Sequence, residues 1–244
     1  MSMLRPVFLV WYAVGLALML TVGVPSALSF SNGCFLVFFT AYALSIEAKL
    51  EKRPRAMYGR ALAVGVVTFA IERIGVVTGF PFGGYAYTSV LGVRLAGVPL
   101  TIALAWVGIL TIAVLLASSS TRLGRAVETG CWTVLLDLVL DPVAYARQFW
   151  LWREGAGMTF HGVPLQNFAA WFLIAAIASL LYPLRPVPTD IRREAARLMQ
   201  LMLLMFGLLA LREDLLAAFA IALAGIAGLE GAFRHAARNE QRLV

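Results

Sequence analysis

The segment Asp137-Leu138-Val139-Leu140-Asp141 places two acids four residues apart in a stretch that otherwise has the composition of a membrane-spanning helix. Residues i and i+4 lie on one face of a helix, so both carboxyl groups project into the same space. A carboxylate in hydrocarbon costs several kcal/mol unless it is protonated, paired or facing a wet cavity. The pair therefore predicts a site inside the membrane that works with protons.

The composition of the whole chain predicts the helices that bury this site. Its 244 residues are 61% hydrophobic and 14% charged, with a mean hydropathy of +0.85, whereas soluble domains carry about 25% charged residues. A helix needs about 20 apolar residues to cross a bilayer. We predict an all-α, polytopic membrane helical bundle forming a single transmembrane domain over residues 1–244. About eight transmembrane helices are expected, near Val7–Val22, Ala27–Ile46, Arg60–Thr78, Val98–Ala117, Val127–Phe149, Leu165–Tyr182, Arg197–Leu211 and Leu215–Gly231. The last two are short, and a single re-entrant hairpin is the alternative for them.

The distribution of basic residues predicts the orientation of the chain. With eight spans, 15 of the 20 basic residues fall on one side of the membrane; they are Arg5, Lys49, Lys52, Arg53, Arg55, Arg60, Arg122, Arg125, Arg185, Arg192, Arg193, Arg197, Arg234, Arg238 and Arg242. The positive-inside rule then predicts a multi-pass protein of the cell membrane with both termini cytoplasmic. The sequence pI of about 9.9 follows from this asymmetry. It indicates contact with anionic lipid and no nucleic-acid partner.

A short sequence pattern occurs twice in the middle of the chain. The tetrapeptide at Gly97–Leu100 recurs at Gly162–Leu165, an offset of 65 residues. At the same offset stand two tryptophans and two acids: Trp106 with Trp171, and Glu72 with Asp137. We predict that units 60–118 and 125–183, which hold spans 3–4 and 5–6, are duplicates. The site would lie between them, with Glu72 opposite Asp137.

The polar and aromatic residues concentrate in the middle-to-outer part of the predicted bundle. We predict Asp137, Asp141 and Glu72 as catalytic residues, and Arg73 as the ion-pair partner of an acid in the fifth span. Aromatic faces stabilise cations, and an amide can bind a polar group of a substrate. The predicted substrate-binding residues are Tyr85, Tyr87, Trp106, Trp152, Asn167 and Trp171. An interfacial aromatic belt is the alternative for single aromatic residues, and helix packing is the alternative for Asn167.

Several kinds of chemistry are excluded by what the chain lacks. Its two histidines, His161 and His235, fall on opposite sides of the predicted membrane, and its two lysines share one loop. A histidine-rich di-iron site, a bis-histidine haem and a retinal Schiff base within a helix cannot be built from them. No glycine-rich phosphate loop or dinucleotide fingerprint occurs. We therefore expect chemistry on carboxyl groups, aromatic rings and water.

The same residues resemble the carotenoid 1,2-hydratase family, which includes the bisanhydrobacterioruberin hydratases. The resemblance covers about residues 70–175, in matching order. It rests on Gly83–Thr88 with Leu91-Gly92, Gly97-Val98-Pro99 with Trp106, Asp137–Pro142, Trp150-Leu151-Trp152, and Gly162–Phe168 with Trp171. The sequence departs from the family pattern at Thr159-Phe160-His161, where aromatic residues are usual, and at Ala170, where glycine is common.

The resemblance implies addition of water to the terminal isoprenoid double bond of an acyclic carotenoid end group, as in lycopene, γ-carotene or a C50 carotenoid. The product would be a tertiary alcohol, made without redox cofactor or metal. One acid would protonate the alkene, aromatic faces would stabilise the tertiary cation, and a second carboxylate would orient or deprotonate water. Which acid is donor and which is base stays open. The expected partners are the long apolar substrate, the lipid bilayer and other enzymes of the carotenoid pathway.

Three alternatives are open, and the sequence separates the first of them poorly from a hydratase. A membrane lycopene cyclase shares the protonation step but uses no water. An intramembrane prenyltransferase needs two acid-rich motifs to hold diphosphate through magnesium, and here one acid pair stands away from the basic side. A proton-coupled transporter would use the acids as a relay, but it needs a polar path to both sides.

Overall fold

The computed structural model of the chain describes residues 3–28, 30–153 and 157–242. Side chains of residues 234–242, including His235, Arg234, Arg238 and Arg242, lie outside the description. The described part forms eight α-helices: α1 (Leu4–Leu20), α2 (Phe30–Glu47), α3 (Pro54–Thr78), α4 (Leu100–Leu116), α5 (Arg122–Ala146), α6 (Leu165–Ser179), α7 (Thr189–Arg212) and α8 (Leu216–Arg242). Six short strands lie between helices: β1 (Tyr85–Tyr87), β2 (Arg94–Leu95), β3 (Val98–Pro99), β4 (Trp150–Trp152), β5 (Thr159–Phe160) and β6 (Val163–Pro164).

Each helix coincides with one predicted span, which confirms the all-α membrane bundle. Four stretches in the described residues are long and apolar enough to cross a membrane: Phe30–Leu50, Pro54–Thr78, Thr189–Arg212 and Leu216–Phe233. Helices α1, α4 and α6 are apolar but shorter. The last two helices are longer than the sequence predicts: α8 continues past Gly231 to Arg242, and α7 begins at Thr189 and not near Arg197. Its first turns are rich in charge, yet Ile191 and Ala195 are buried there, so a helix forms where hydropathy indicates a loop.

Helix α4 forms the centre of the bundle. It is apolar on every side, as expected for a helix surrounded by others, and nearly all of its residues from Ile102 to Leu116 are buried. It packs against α2, α3, α5 and α7. The close approach of α2 depends on Gly108, where an added Cβ would overlap the ring of Phe39. The hydroxyl of Thr40 in α2 donates to the backbone oxygen of Leu104 at 2.6 Å across the same contact.

The connections α3–α4 and α5–α6 each contain a two-residue hairpin. In the first, Ala96 and Gly97 have φ of 52° and 89°; in the second, His161 and Gly162 have φ of 49° and 81°. Two successive residues with positive φ are the requirement of the type I′ turn, which matches the twist of a tight hairpin. In both hairpins the returning strand is Val-Pro, and a helix begins directly after the proline.

The same connections also pair with each other through β1 and β4, with Ala86 opposite Leu151 at the centre. The bonds flanking this sheet are related by the 65-residue offset. The amide of Thr88 donates to the oxygen of Phe149 at 3.1 Å, and that of Arg153 donates to the oxygen of Gly84 at 2.8 Å. Strands β1 and β4 therefore lie around a local pseudo-two-fold axis. The duplication of units 60–118 and 125–183 stays a prediction, which this geometry favours.

Basic side chains hold together the opposite end of the bundle. Arg125, which is buried, donates to the backbone oxygens of Ser179, Tyr182 and Pro183 at 2.7–3.1 Å, where α6 ends. A cation at a helix C-terminus complements the helix dipole. Arg60 pairs with Glu47 and Glu51 at the α2–α3 connection. Charge is thus concentrated at this end, and the strands lie at the other.

Gly108→Ala tests the α2–α4 contact. The added methyl group must displace the Phe39 ring, so we expect the variant to lose about 1–3 kcal/mol of stability, as in other overpacked cores. The thermal unfolding midpoint in detergent measures the loss. The matched control is Gly59→Ala on α3, where an added Cβ has no neighbour within 4 Å; it should be neutral or stabilising by about 0.5–1 kcal/mol. Equal midpoints for the two variants would contradict the described packing.

Candidate active site

Glu72 is fixed by three hydrogen-bond donors. It lies in α3, 3% exposed, and its side chain points to the strands that follow the helix. The indole of Trp106 in α4 donates to Oε1 at 2.9 Å, the hydroxyl of Tyr87 donates to Oε2 at 2.8 Å, and the hydroxyl of Tyr85 also donates to Oε2. Three donors on one carboxylate stabilise its ionised form.

Asp137 and Asp141 are joined by one amide. They lie one turn apart on α5 and are 1% and 2% exposed. The Nδ2 group of Asn167 donates to Oδ2 of Asp141 at 2.6 Å and to Oδ2 of Asp137 at 3.1 Å. The β5–β6 hairpin sets the start of α6, which places Asn167 in its first turn facing α5. The Oδ1 atom of each aspartate accepts no bond from a described donor.

The three acids have no cation beside them. None of the ion pairs in the described residues includes Glu72, Asp137 or Asp141. Several buried negative charges without a cation are very costly, so a proton is required within the group. The two aspartates lie within hydrogen-bonding reach of each other once one of them carries that proton. The arrangement is that of two carboxyl groups joined by one amide, beside a third carboxyl group that accepts three hydrogen bonds.

The predicted pairing of Arg73 with an acid of α5 is wrong. Successive helical residues point about 100° apart, and Glu72 occupies the inward direction. Arg73 is consequently exposed, and its guanidinium group lies near the turn at Gly97.

A chamber of ≈ 70 Å³ lies between Glu72 and Asp141. All six predicted substrate-binding residues line it: Tyr85, Tyr87, Trp106, Trp152, Asn167 and Trp171. Asp141 faces the chamber. Asn167 binds both Asp141 and Asp137, and Asp137 lies one helical turn farther from the strands. The structure thus brings every predicted site residue together at one end of the bundle, while their roles stay predictions.

Aromatic rings form much of the chamber wall. Trp106 and Trp171 stack with centroids 3.9 Å apart and planes inclined by 18°. Tyr85 contacts Trp152 at 5.2 Å, and Tyr87 contacts Trp150 at 5.8 Å, between ring centroids. Ring faces carry partial negative charge and attract a cation. A positive charge formed in this chamber would therefore be surrounded by aromatic faces and a carboxylate.

The apolar part of the chamber wall was not predicted from the sequence. Leu36 of α2 and Phe206 of α7 line the chamber, together with Phe82 and Phe149 from the connections. The two phenylalanines stand in aromatic-rich loops, which is a weak signal. Leu36 and Phe206 lie in uniformly apolar helices, where no pattern separates a cavity-lining residue from a packing residue.

The donor set suits acid–base chemistry more than metal binding. Within the described residues, no group of three histidine, cysteine, aspartate or glutamate side chains is arranged to hold a metal ion. The site instead offers a buried pair of carboxyl groups, a third carboxyl group fixed by three donors, and an apolar space between them. It can protonate an apolar molecule and stabilise the resulting cation.

Tyr85 and Tyr87 are held in their neutral form. Burial, together with the nearby Glu72 carboxylate, raises the pKa of the Tyr85 and Tyr87 phenols above their usual value of about 10. Each hydroxyl therefore remains a hydrogen-bond donor to Glu72 at any ordinary pH.

The fold and this site define a class: a helical membrane protein in which buried acids face an apolar chamber. The family model described as carotenoid biosynthesis protein matches residues 31–231. The chain belongs to this family, which confirms the resemblance seen in its motifs.

A curated relative refines the comparison. Bisanhydrobacterioruberin hydratase of Haloarcula japonica is 35% identical over 170 residues, which cover 65% of this chain and 56% of the relative. The match thus spans a little over half the length of that protein. No solved structure matches the chain.

Alkaline titration tests the tyrosine donors. Because their pKa values are raised in the folded protein, Tyr85 and Tyr87 should form no phenolate near pH 11, about one unit above the usual phenol value. The difference in phenolate absorbance between wild type and the Tyr85→Phe/Tyr87→Phe variant should be nil when folded and equal to two tyrosines after unfolding.

The same shift sets the pH dependence of stability. The contribution of these phenols is fully present below about pH 10 and is lost as pH rises further, because only the unfolded state then releases their protons. Wild type should lose thermal stability above pH 10 more steeply than the double variant. Phenolate from these residues at pH 10 in the folded protein would disprove the bonding to Glu72.

Proposed function

We propose that the protein is a cofactor-independent carotenoid hydratase that adds water across the terminal isoprenoid double bond of an acyclic carotenoid end group. The observation that carries the proposal is the chamber, in which a buried pair of carboxyl groups and the carboxyl group of Glu72 face each other between aromatic walls. Membership of the carotenoid biosynthesis family and the similarity to a protein named as a hydratase support it. Lycopene, γ-carotene and C50 carotenoids are the candidate substrates.

The first step is proton transfer from Asp141, the aspartate that faces the chamber. Its proton adds to the less substituted carbon of the double bond, the π bond breaks, and the positive charge forms on the tertiary carbon. The ring faces of Trp106 and Trp171 and the carboxylate of Glu72 stabilise this charge. A general acid of this kind contributes about 10²–10⁴ to the rate.

The second step is capture of the cation by water. The water oxygen forms the new C–O bond and its proton passes to the Asp141 carboxylate, which restores the starting state. Asn167 holds both carboxyl groups throughout, so Asp137 supports the charge change on Asp141 without touching the substrate. Asp141 thus acts as donor and then as base, while Glu72 keeps its charge.

The orientation of the bundle follows from the same proposal. The end closed by Arg60 and Arg125 faces the cytoplasm, with both termini on that side, and the strand-covered chamber lies towards the outer surface of the cell membrane. Basic residues at the cytoplasmic end satisfy the positive-inside rule and contact anionic lipid.

Expression in a lycopene-producing bacterium tests the reaction. We expect wild type to convert the pigment to a product heavier by one water per reacted end, detected by mass spectrometry. Pigment of unchanged mass with a new ring would indicate a cyclase. Unaltered pigment in strains that make each of the three candidate substrates, with a folded protein in the membrane, would overturn the proposal.

Amide substitutions test the acids. Asp141→Asn removes the proton donor and should lower the rate by about 10²–10⁴. Glu72→Gln keeps the shape of the side chain but removes the charge opposite the cation, and it should cost at least about tenfold. Rates are measured as hydrated pigment per folded protein.

The matched control is Asp190→Asn, an exposed acid in the first turn of α7, which should keep wild-type activity. Full activity in Asp141→Asn would refute its role as donor, even if hydration itself is observed.

A further inference from the structure

A second, larger cavity adjoins the chamber. It has a volume of ≈ 380 Å³ and lies among α1, α2, α5 and α7. The two spaces share part of their walls, including Leu36, Leu91, Ala105, Leu140, Phe149 and Phe206. They are therefore neighbouring compartments separated by a few apolar side chains.

The wall of the second cavity is apolar, although some polar residues contribute to it. The Tyr12 hydroxyl donates to the backbone oxygen of Leu201 at 2.8 Å, and the Asn32 amide donates to that of Val90 at 3.3 Å. The Trp11 indole donates to the backbone oxygen of Ser31, and Arg147 pairs with Glu213 at 2.9 Å. Because these groups bond within the protein, hydrocarbon is the ligand that this wall suits.

The cavity opens at the surface of the bundle through α1 and the start of α2. Val10, Val14 and Phe30 line it and are 65%, 56% and 57% exposed. In a membrane bundle, such side chains on the outside of a helix contact lipid. The opening consequently connects the cavity to the hydrocarbon of the bilayer.

We propose that this cavity is the binding site for the polyene body of the carotenoid, which enters from the lipid between α1 and α2 and places its end group in the chamber. The proposal rests on the proposed function. A space of ≈ 70 Å³ accepts only the end of a long molecule, so the rest must continue into an adjoining volume. The cavity among α1, α2, α5 and α7 is apolar, adjoins the chamber and opens to lipid.

The geometry also limits how much of the substrate the protein holds. On α1 the lining residues run from Val10 to Met19, which corresponds to about 14 Å at 1.5 Å per residue. A carotenoid is longer than this, so its far end stays in the bilayer. Each binding event therefore presents one end group to Asp141.

Gly15 gives a direct test. It lines the cavity on α1, and an added Cβ meets no atom within 4 Å, so a larger side chain fills the cavity without overlapping the backbone. We expect hydrated product and co-purifying pigment to fall with side-chain size in Gly15→Ala, Gly15→Leu and Gly15→Phe. The loss should reach at least about tenfold for phenylalanine, while replacing a helical glycine should leave thermal stability unchanged or higher.

The matched control is Gly228→Phe. Gly228 is an exposed glycine of α8 whose added Cβ also meets no atom within 4 Å, and it should keep pigment and product within about twofold of wild type. Wild-type pigment and product in a folded Gly15→Phe protein would overturn the proposal and indicate that membrane lipid occupies the cavity.

Measuring pigment and product separately distinguishes this inference from the proposed function. If wild type binds pigment but adds no water, and Gly15→Phe loses the pigment, the binding site is correct and the hydratase proposal is wrong. If Gly15→Phe does not fold, Val14→Trp at the mouth of the cavity replaces it. The same loss of pigment relative to Gly228→Phe is then expected, and retention of the pigment would refute the site.

Discussion

The hydrogen bonds from Asn167 to Asp137 and Asp141 are the interaction on which the site depends. They hold two acids side by side in an apolar interior, where the described residues supply no cation for them. An amide satisfies part of each carboxyl group without neutralising either, so the pair still has to keep a proton. A lysine or arginine in the same place would stabilise two carboxylates and remove the acid.

The acids at the two corresponding positions, Glu72 and Asp137, have different hydrogen-bond partners. Glu72 accepts three hydrogen bonds, whereas Asp137, which stands 65 residues later, shares one amide and has an unpartnered oxygen. The positions that correspond to Asp141 and Asn167 in the earlier half are Val76 and Ile102. A carboxyl group with three hydrogen-bond donors and a pair of carboxyl groups that share one amide therefore face each other across the chamber. Two groups in such different environments can take different roles in one reaction.

The sequence predicted most of the fold because the energetics of a bilayer leave few choices. Apolar length marks the helices, and buried acids stand out against an apolar background. Two predictions were wrong for local reasons. Helix α7 begins earlier than predicted because helical structure continues into the charged turns before Arg197. Arg73 does not pair with an acid of α5 because it points away from the direction that its neighbour Glu72 takes. The second cavity could not be predicted at all. Most of its wall consists of ordinary valine, leucine, methionine and phenylalanine side chains, and only their positions in space distinguish a cavity from a packed core.

The β1–β4 sheet takes one strand from each half of the chain. The sheet covers one side of the chamber, since its two strands place Tyr85, Tyr87 and Trp152 in the same wall. Either half alone would have a single strand without its pairing partner and would lack part of the chamber wall. A free-standing half could close such a chamber only by associating with a second copy of itself. Because both strands belong to one chain, the sheet stays paired over the chamber at any dilution in the membrane.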